Sequence, residues 1–416
     1  MENDRSDVLV IGAGVIGLSC AYELSKRGVR VTVIDQGQPG LGCSYGNAGW
    51  MTPCFGLPLP MPGMLLKSLK WLIDPVSPLY IKPEPSLMLL KWLLRFLSCM
   101  NTQTANRSIA SLTEISKYSL TEYAKLEAEI GASFGFTQKG LLMVSQTKEG
   151  VSVAVDEMKH VAVHGIPGKE MSAEEIKILE PSLVGSLQGG VYFPSEAHGE
   201  PYEVVKALAQ GATQNGVKIF PGTEVFDFKM SGNEIQGVRT TRGWFHAKQV
   251  VLATGSWSPW LAKKLRLNVP VLGGKGYALI VKPFNPKPQI PMMIIEKKIA
   301  VTPRRDSVRL AGTLELVNQD FSINTRRVDA ILKGSQVVFN LPADPEIIEL
   351  WRGLRPCTPD GVPIIGYSKQ FTNLFISTGH QMLGLQSAPG SARLAADLLT
   401  GATPIFDPKP FRASRF

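Results

Sequence analysis

Cysteine is scarce in this chain of 416 residues: Cys20, Cys43, Cys54, Cys99 and Cys357 are odd in number and form no CxxC pair. That argues against a disulfide scaffold and a zinc site and fits a reducing compartment, so no bound metal is expected. Charge is also sparse, at 19% of residues, and acids are the minority, 35 against 44 bases for a net charge of +9. A basic balance favours anionic partners such as an acidic substrate or an anionic membrane surface. No nucleic-acid module accompanies it, so no nucleic-acid partner is expected. No apolar run reaches the roughly 18–20 residues of a membrane-spanning helix. Residues Met1 to Asp7 are polar, and Val8 to Ile11 is too short for a signal-peptide core, so the expected location is cytoplasmic. There is no low-complexity tract and no repeat, and the length predicts two domains, with the two interleaved as one option.

What the chain does contain is glycine, 40 residues, and proline, 30, as expected for strands alternating with helices. Val8–Ile11 reads as a buried parallel strand, Ile16 to Arg27 as a helix with Gly28 as its C-cap, and Val29–Ile34 as a second strand. Between the first strand and the helix stands Gly12-Ala13-Gly14-Val15-Ile16-Gly17. Gly12 permits the tight turn, Gly14 a close approach of backbone to a pyrophosphate, and Gly17 close packing of helix on sheet. The helix start, with Val15 and Ile16, offers free N–H groups to phosphate. Asp35, 23 residues after Gly12 and followed by Gln36, suits a ribose diol and disfavours a 2′-phosphate.

This unit does not by itself separate NAD from FAD. Just after the second strand comes Cys43-Ser44-Tyr45-Gly46-Asn47-Ala48-Gly49-Trp50, and here the chain resembles the D-amino acid dehydrogenase group of the FAD-dependent DAO superfamily. The family's S-x-x-N-A-G stretch is matched by Ser44, Asn47, Ala48 and Gly49. The resemblance extends to Val225, near which the family's backbone meets adenine, to Ala253-Thr254-Gly255 at the end of an apolar strand, and to Gly273-Gly274-Lys275-Gly276-Tyr277. It is densest from Gly353 to Gly366 (G-L-R-P-x-T-P-D-G-x-P) and in the turn Gly379-His380-Gln381-Met382-Leu383-Gly384, which precedes a helix expected from about Ala388 to Thr400.

The resemblance implies an α/β fold. A discontinuous, Rossmann-like FAD-binding domain is built from residues 1–60, 196–265 and 345–416. An α+β substrate domain of mixed sheet is inserted as residues 61–195 and 266–344. It further implies that Arg355 holds the substrate carboxylate beside the flavin, through the paired charge-assisted hydrogen bonds that a guanidinium can make. Tyr277 either bounds the substrate pocket or packs in the core. The Gly379–Gly384 turn, with Met382 and Leu383, lies against the flavin, and the following helix start stabilises negative charge on the reduced ring. His380 then shapes the loop rather than carrying a proton, and Trp257 and Trp351 are packing residues. Gly353 stands where sarcosine oxidases carry the covalent flavin cysteine, so FAD is expected to be noncovalent.

The implied reaction is oxidative deamination of a small amino acid, of the D series and including proline-like substrates, by hydride transfer from Cα to flavin N5. Electrons then pass to quinone or another carrier. The alternatives are a soluble, H₂O₂-producing amino acid or glycine oxidase and a noncatalytic FAD-binding partner protein. Two apolar segments, Met64 to Ile73 and Leu87 to Cys99, carry Lys67, Lys70, Lys91 and Arg95 at helical spacings. They read either as core helices or as a basic amphipathic surface on the inner face of the membrane, with Trp71 and Trp92 at the headgroup boundary.

Overall fold

The computed structural model describes residues 6–62, 79–81 and 86–416. The segment Met64 to Ile73, with Lys67, Lys70 and Trp71, lies outside the described residues. Two sheets organise the rest. The first has six strands in the order Ile364–Tyr367, Leu374–Thr378, Ala247–Leu252, Ser6–Ile11, Val31–Ile34 and Lys218–Phe220. All neighbours are parallel except the outermost pair, Ile364–Tyr367 with Leu374–Thr378.

Alternation along the first strand explains its unbroken hydrophobicity. Val8 and Val10 face a core shared with the helices Val15–Ser25, Thr102–Ile130, Pro201–Gln214 and Gly384–Thr400. Leu9 and Ile11 face the opposite core, formed with Val225, Phe228, Ile235 and Val238 of a three-stranded antiparallel layer. A parallel strand covered on both faces needs apolar side chains at every position.

The second sheet is mixed and has nine strands. Eight run in the order Ile347–Cys357, Leu272–Val281, Val308–Val317, Ile299–Pro303, Met292–Ile294, Leu141–Ser145, Gly189–Phe193 and Lys169–Met171; Leu79–Ile81 pairs with Val308–Val317. The strand Ile347–Cys357, grouped from sequence with the nucleotide segments, pairs with Leu272–Val281 in this second sheet along its length. It therefore carries the chain from one sheet to the other. The strand Leu141–Ser145 is buried at every position.

The C-terminal helix begins at Gly384, four residues before the expected start, and contains Pro389. Proline cannot donate to the carbonyl four residues back. Here the Tyr123 hydroxyl donates to that carbonyl, Leu385 O, at 2.8 Å. The next amide, Gly390 N, donates to Ser119 Oγ at 2.9 Å. Two side chains of the helix Thr102–Ile130 thus replace the rungs that proline disrupts.

Candidate functional site

The glycine turn after the first strand opens one end of a cavity of about 750 Å³, within the range of small-molecule and cofactor sites. Gly12 has a φ of 109°, and a Cβ there would lie 2.5 Å from Ala253 O, so the turn needs glycine for conformation and for the passing of the Ala247–Leu252 strand end. Gly17 meets the Gly12 carbonyl closely and seats the helix. Gly14 is the N-cap of Val15–Ser25 and supplies no side chain, so the helix start is open to an anion. Ser44 Oγ accepts from Val15 N at 3.0 Å, which brings the S-x-x-N-A-G loop onto that helix start.

Asp35 accepts from Ala13 N at 2.6 Å and from Gly37 N at 2.8 Å, one bond to each carboxylate oxygen. Burial pushes its pKa up, against the pull of those two bonds. Beyond it, Gln36 and Val225 line the same end of the cavity, and Ala253, Thr254, Gly255, Gly379, His380 and Gly384 line its walls with Gly12, Gly14, Val15, Ile16, Ser44 and Asn47. Asn47 links two motifs far apart in sequence: its Nδ2 donates to Met382 O at 3.2 Å, while its Oδ1 accepts from Gly49 N at 2.9 Å.

Several expected residues do not line the cavity: Gly17, Ala48, Gly49, Tyr277, Arg355, Met382 and Leu383. Ala48 instead offers its carbonyl to Thr302 Oγ1 at 2.7 Å, and Thr302 accepts from Trp50 Nε1 at 2.8 Å, which fastens the loop to the second sheet. Met382 is exposed. Of the two readings of Tyr277, pocket wall or core, its packing fits the core. It belongs to the far core with Leu279 and Val281, while Ala278, one position on, packs with Trp50 and Trp351. Its hydroxyl donates to Glu315 at 2.9 Å and accepts from Asn324 N at 3.0 Å. It reaches the cavity only through the loop it anchors, whose Gln319 and Phe321 are lining residues.

Sequence reasoning also missed residues. Trp257 and Trp351, read as packing, both line the cavity, as do Cys43, Trp260 and Arg352. Trp257 stacks on Phe321 with centroids 5.9 Å apart, and Arg352 Nε donates to the Phe321 carbonyl. Position immediately after the A-T-G strand end was the available signal for Trp257. Trp92, placed from sequence at a membrane boundary, is buried and donates to Cys357 O at 3.0 Å.

Arg355 sits on the strand that joins the two sheets. Its guanidinium packs on Gly276, where any side chain would collide with it. Nη1 donates to Thr313 O at 2.7 Å. Thr313 has a φ of 62° opposite an irregularity in the pairing of Lys275 and Tyr277. Burial depresses the Arg355 pKa, and the titratable groups acting on it are the thiols of Cys43 and Cys357. Those thiols are themselves pushed up by burial, to about 11 and about 12, and are neutral. Among the described residues Arg355 forms no ion pair, so its half-buried charge has no counter-charge.

His380 is buried, and its Nε2 lies 3.1 Å from Ser391 Oγ. Desolvation pushes its pKa down to about 3, so it is a neutral hydrogen-bonding group at physiological pH.

A parallel sheet with a glycine turn, an open helix start, a carboxylate at the next strand end and a small-residue loop defines a dinucleotide-binding protein. The chain matches the DAO family, FAD dependent oxidoreductase, over residues 7–398, and it belongs to that family. FAD is its cofactor, and the residues present fit it: the open helix start suits the pyrophosphate and Asp35 a ribose. The chain is 32% identical over 415 residues, 98% of its own length and 99% of the relative's, to a D-amino acid dehydrogenase of Rhizobium rhizogenes. It is 32% identical over 395 residues, 95% of each, to a D-amino acid dehydrogenase of Helicobacter pylori. Among solved structures it is similar to glycine oxidase from Geobacillus kaustophilus, with a TM-score of 0.78, 24% identity and 99% of each chain covered. It is similar too to L-proline dehydrogenase from P. horikoshii, with a TM-score of 0.78, 22% identity and 96% and 95% covered. At these identities the structural likeness is one of fold.

Proposed function

We propose that the protein oxidises small amino acids of the D series, proline-like ones included, and passes the electrons to quinone or another carrier. The observation that carries the substrate half is the half-buried guanidinium of Arg355, which has no counter-charge. A buried charge without a partner is costly, and a substrate carboxylate supplies the partner. Two parallel hydrogen bonds from Arg355 fix the carboxylate's orientation as well as its location, which positions the carbon bearing the amine. FAD, when bound, supplies the two-electron acceptor for that carbon. The amine enters unprotonated, so no protein base is required, and His380, neutral and beside Ser391, is not assigned one. The product imine hydrolyses to a 2-oxo acid and ammonia, or remains a cyclic imine for a proline-like substrate. The D configuration follows the names of the dehydrogenase relatives.

The carrier half draws on the helix Leu87–Ser98. It buries Leu89, Trp92 and Phe96 and leaves Leu87, Leu90, Leu94 and Leu97 exposed, with Lys91 exposed among them. An apolar stripe bearing a cation suits an anionic membrane surface, the location of a quinone pool. No helix among the described residues is long and apolar enough to cross a membrane. The fold shared with glycine oxidase supports a second reading, an enzyme that delivers electrons to O₂. Anaerobic bleaching of the bound flavin by paired D- and L-amino acids tests substrate and hand together. Faster reduction by the D forms is expected, and bleaching by L forms or by glycine alone would overturn the assignment.

A further inference from the structure

Strand alternation puts Lys275 on the same face as Tyr277, away from Gly276 and the Arg355 guanidinium that packs on it. The residue is 1% exposed. Its Nζ donates to Asp320 Oδ2 at 3.1 Å and to Ser322 O at 3.0 Å, and Glu315 Oε2 lies 3.8 Å away. Glu315 also pairs with Arg327 at 3.1 Å and accepts from the Tyr277 hydroxyl at 2.9 Å. Two buried cations thus share Glu315, and the second carboxylate, Asp320, is brought by the loop after the strand Val308–Val317. Desolvation offsets much of the attraction in such a buried cluster, so its yield is a fixed geometry more than stability.

Phe321 is the residue between the two contacts, and Lys275 clamps it from both sides. Its carbonyl accepts from Arg352 Nε, and its ring stacks on Trp257 with centroids 5.9 Å apart and planes at 25°. Phe321, Trp257 and Arg352 all line the cofactor cavity, and Phe321 is still 37% exposed. Aromatic side chains suit contact with a planar heterocycle, and FAD carries two. We propose that Lys275 is a positioning residue for FAD, which clamps Asp320 and Ser322 so that Phe321 and Trp257 form an aromatic wall against the cofactor. The proposal concerns FAD alone and is independent of the amino acid reading.

The test measures the dissociation constant of FAD from holoprotein, by the fluorescence of flavin freed on dilution. Phe321→Ala deletes the ring, and Phe321→Tyr keeps it. Lys275→Met and Asp320→Asn each break the clamp, and each is also combined with Phe321→Ala. Asp320 is 17% exposed, and an asparagine Oδ1 can still accept from Ser322 N, at 2.8 Å here, so Asp320→Asn keeps the test open if Lys275→Met does not fold. Phe321→Ala is expected to raise the constant about tenfold, the loss of one aromatic contact, and Phe321→Tyr to leave it within twofold. The clamp variants are expected to raise it about threefold or more, yet to add less than twofold once Phe321 is alanine, because they act through that ring. A merely structural role for Lys275 would instead multiply with Phe321→Ala. Phe321→Ala or both clamp variants within twofold of the unsubstituted protein would overturn the proposal, as would full multiplication of the factors in the double variants.

Discussion

Arg355→Met removes the guanidinium charge while keeping a flexible chain of similar reach. In the fold, Arg355 contributes one hydrogen bond, to Thr313 O at 2.7 Å, and its neighbours Cys43 and Cys357 are neutral thiols. Losing that bond costs about 1 kcal/mol. Removing a half-buried charge that lacks a counter-ion returns a comparable amount. The Tm of the apoprotein should therefore move by no more than about 3 °C. The substrate is affected differently, because its carboxylate is left without its anchor. Losing a buried charge-assisted anchor costs about 2–5 kcal/mol, or roughly 30- to 5,000-fold in kcat/KM. Anaerobic stopped-flow reduction of the flavin, with FAD content and Tm measured on the same preparation, gives all the quantities. Near-normal kcat/KM in folded, FAD-loaded Arg355→Met would remove Arg355 from the site. A Tm lowered by about 10 °C or more, several kcal/mol on the same scale, would instead expose a structural role.

Acid or heat denaturation should release all the flavin into the supernatant, since residue 353 is glycine and offers no thiol for a covalent link; yellow colour retained by the precipitate would refute this. Burial holds His380 at about pKa 3 and His198 at about 4, so the unfolded chain takes up protons that the fold refuses, and stability is lost as pH falls below about 6.5. Burial raises Glu196 to about 8, so the fold keeps a proton that the unfolded chain releases, and stability is lost as pH rises towards that value. Glu196→Gln should accordingly flatten the fall in Tm between about pH 6.5 and 8, and His380→Gln the fall between about 6.5 and 5, both read by thermal melts. In flotation assays the protein is expected to bind anionic vesicles at low salt and to leave them when Leu90 and Leu94 are replaced by serine; no binding at low salt, with rapid H₂O₂ production in air, would favour the oxidase.

Local rules carried much of the architecture. The strands Ser6–Ile11 and Val31–Ile34 and the helix Val15–Ser25 follow from hydrophobic period and turn residues. The nucleotide end of the cavity follows from glycines whose backbone roles are visible in a motif. Failures arose where a distant segment decides. The glycines around Tyr277 suggested proximity to the flavin, but strand alternation sends Gly274, Gly276 and Ala278 to one face and Tyr277 to the other. The helix start at Gly384, four residues before the expected one, was hidden because the partners around Pro389 come from residues 119 and 123. Trp92 looked amphipathic beside Lys91, yet its indole N–H seeks Cys357 O on the second sheet.

The exchange of hydrogen bonds around Pro389 also orders events in time. With Leu385 O and Gly390 N bonded to Tyr123 and Ser119, the first turns of the C-terminal helix lack a full set of partners until the helix Thr102–Ile130 lies against them. An isolated C-terminal peptide should therefore be poorly helical around residues 384–390. The partners stand 262 and 271 residues apart in sequence, so the cavity wall that this helix start completes depends on a long-range contact between the two helices. Cofactor capture becomes a late reporter of assembly, and substitutions at Ser119 or Tyr123 should weaken flavin retention without touching a residue that lines its cavity.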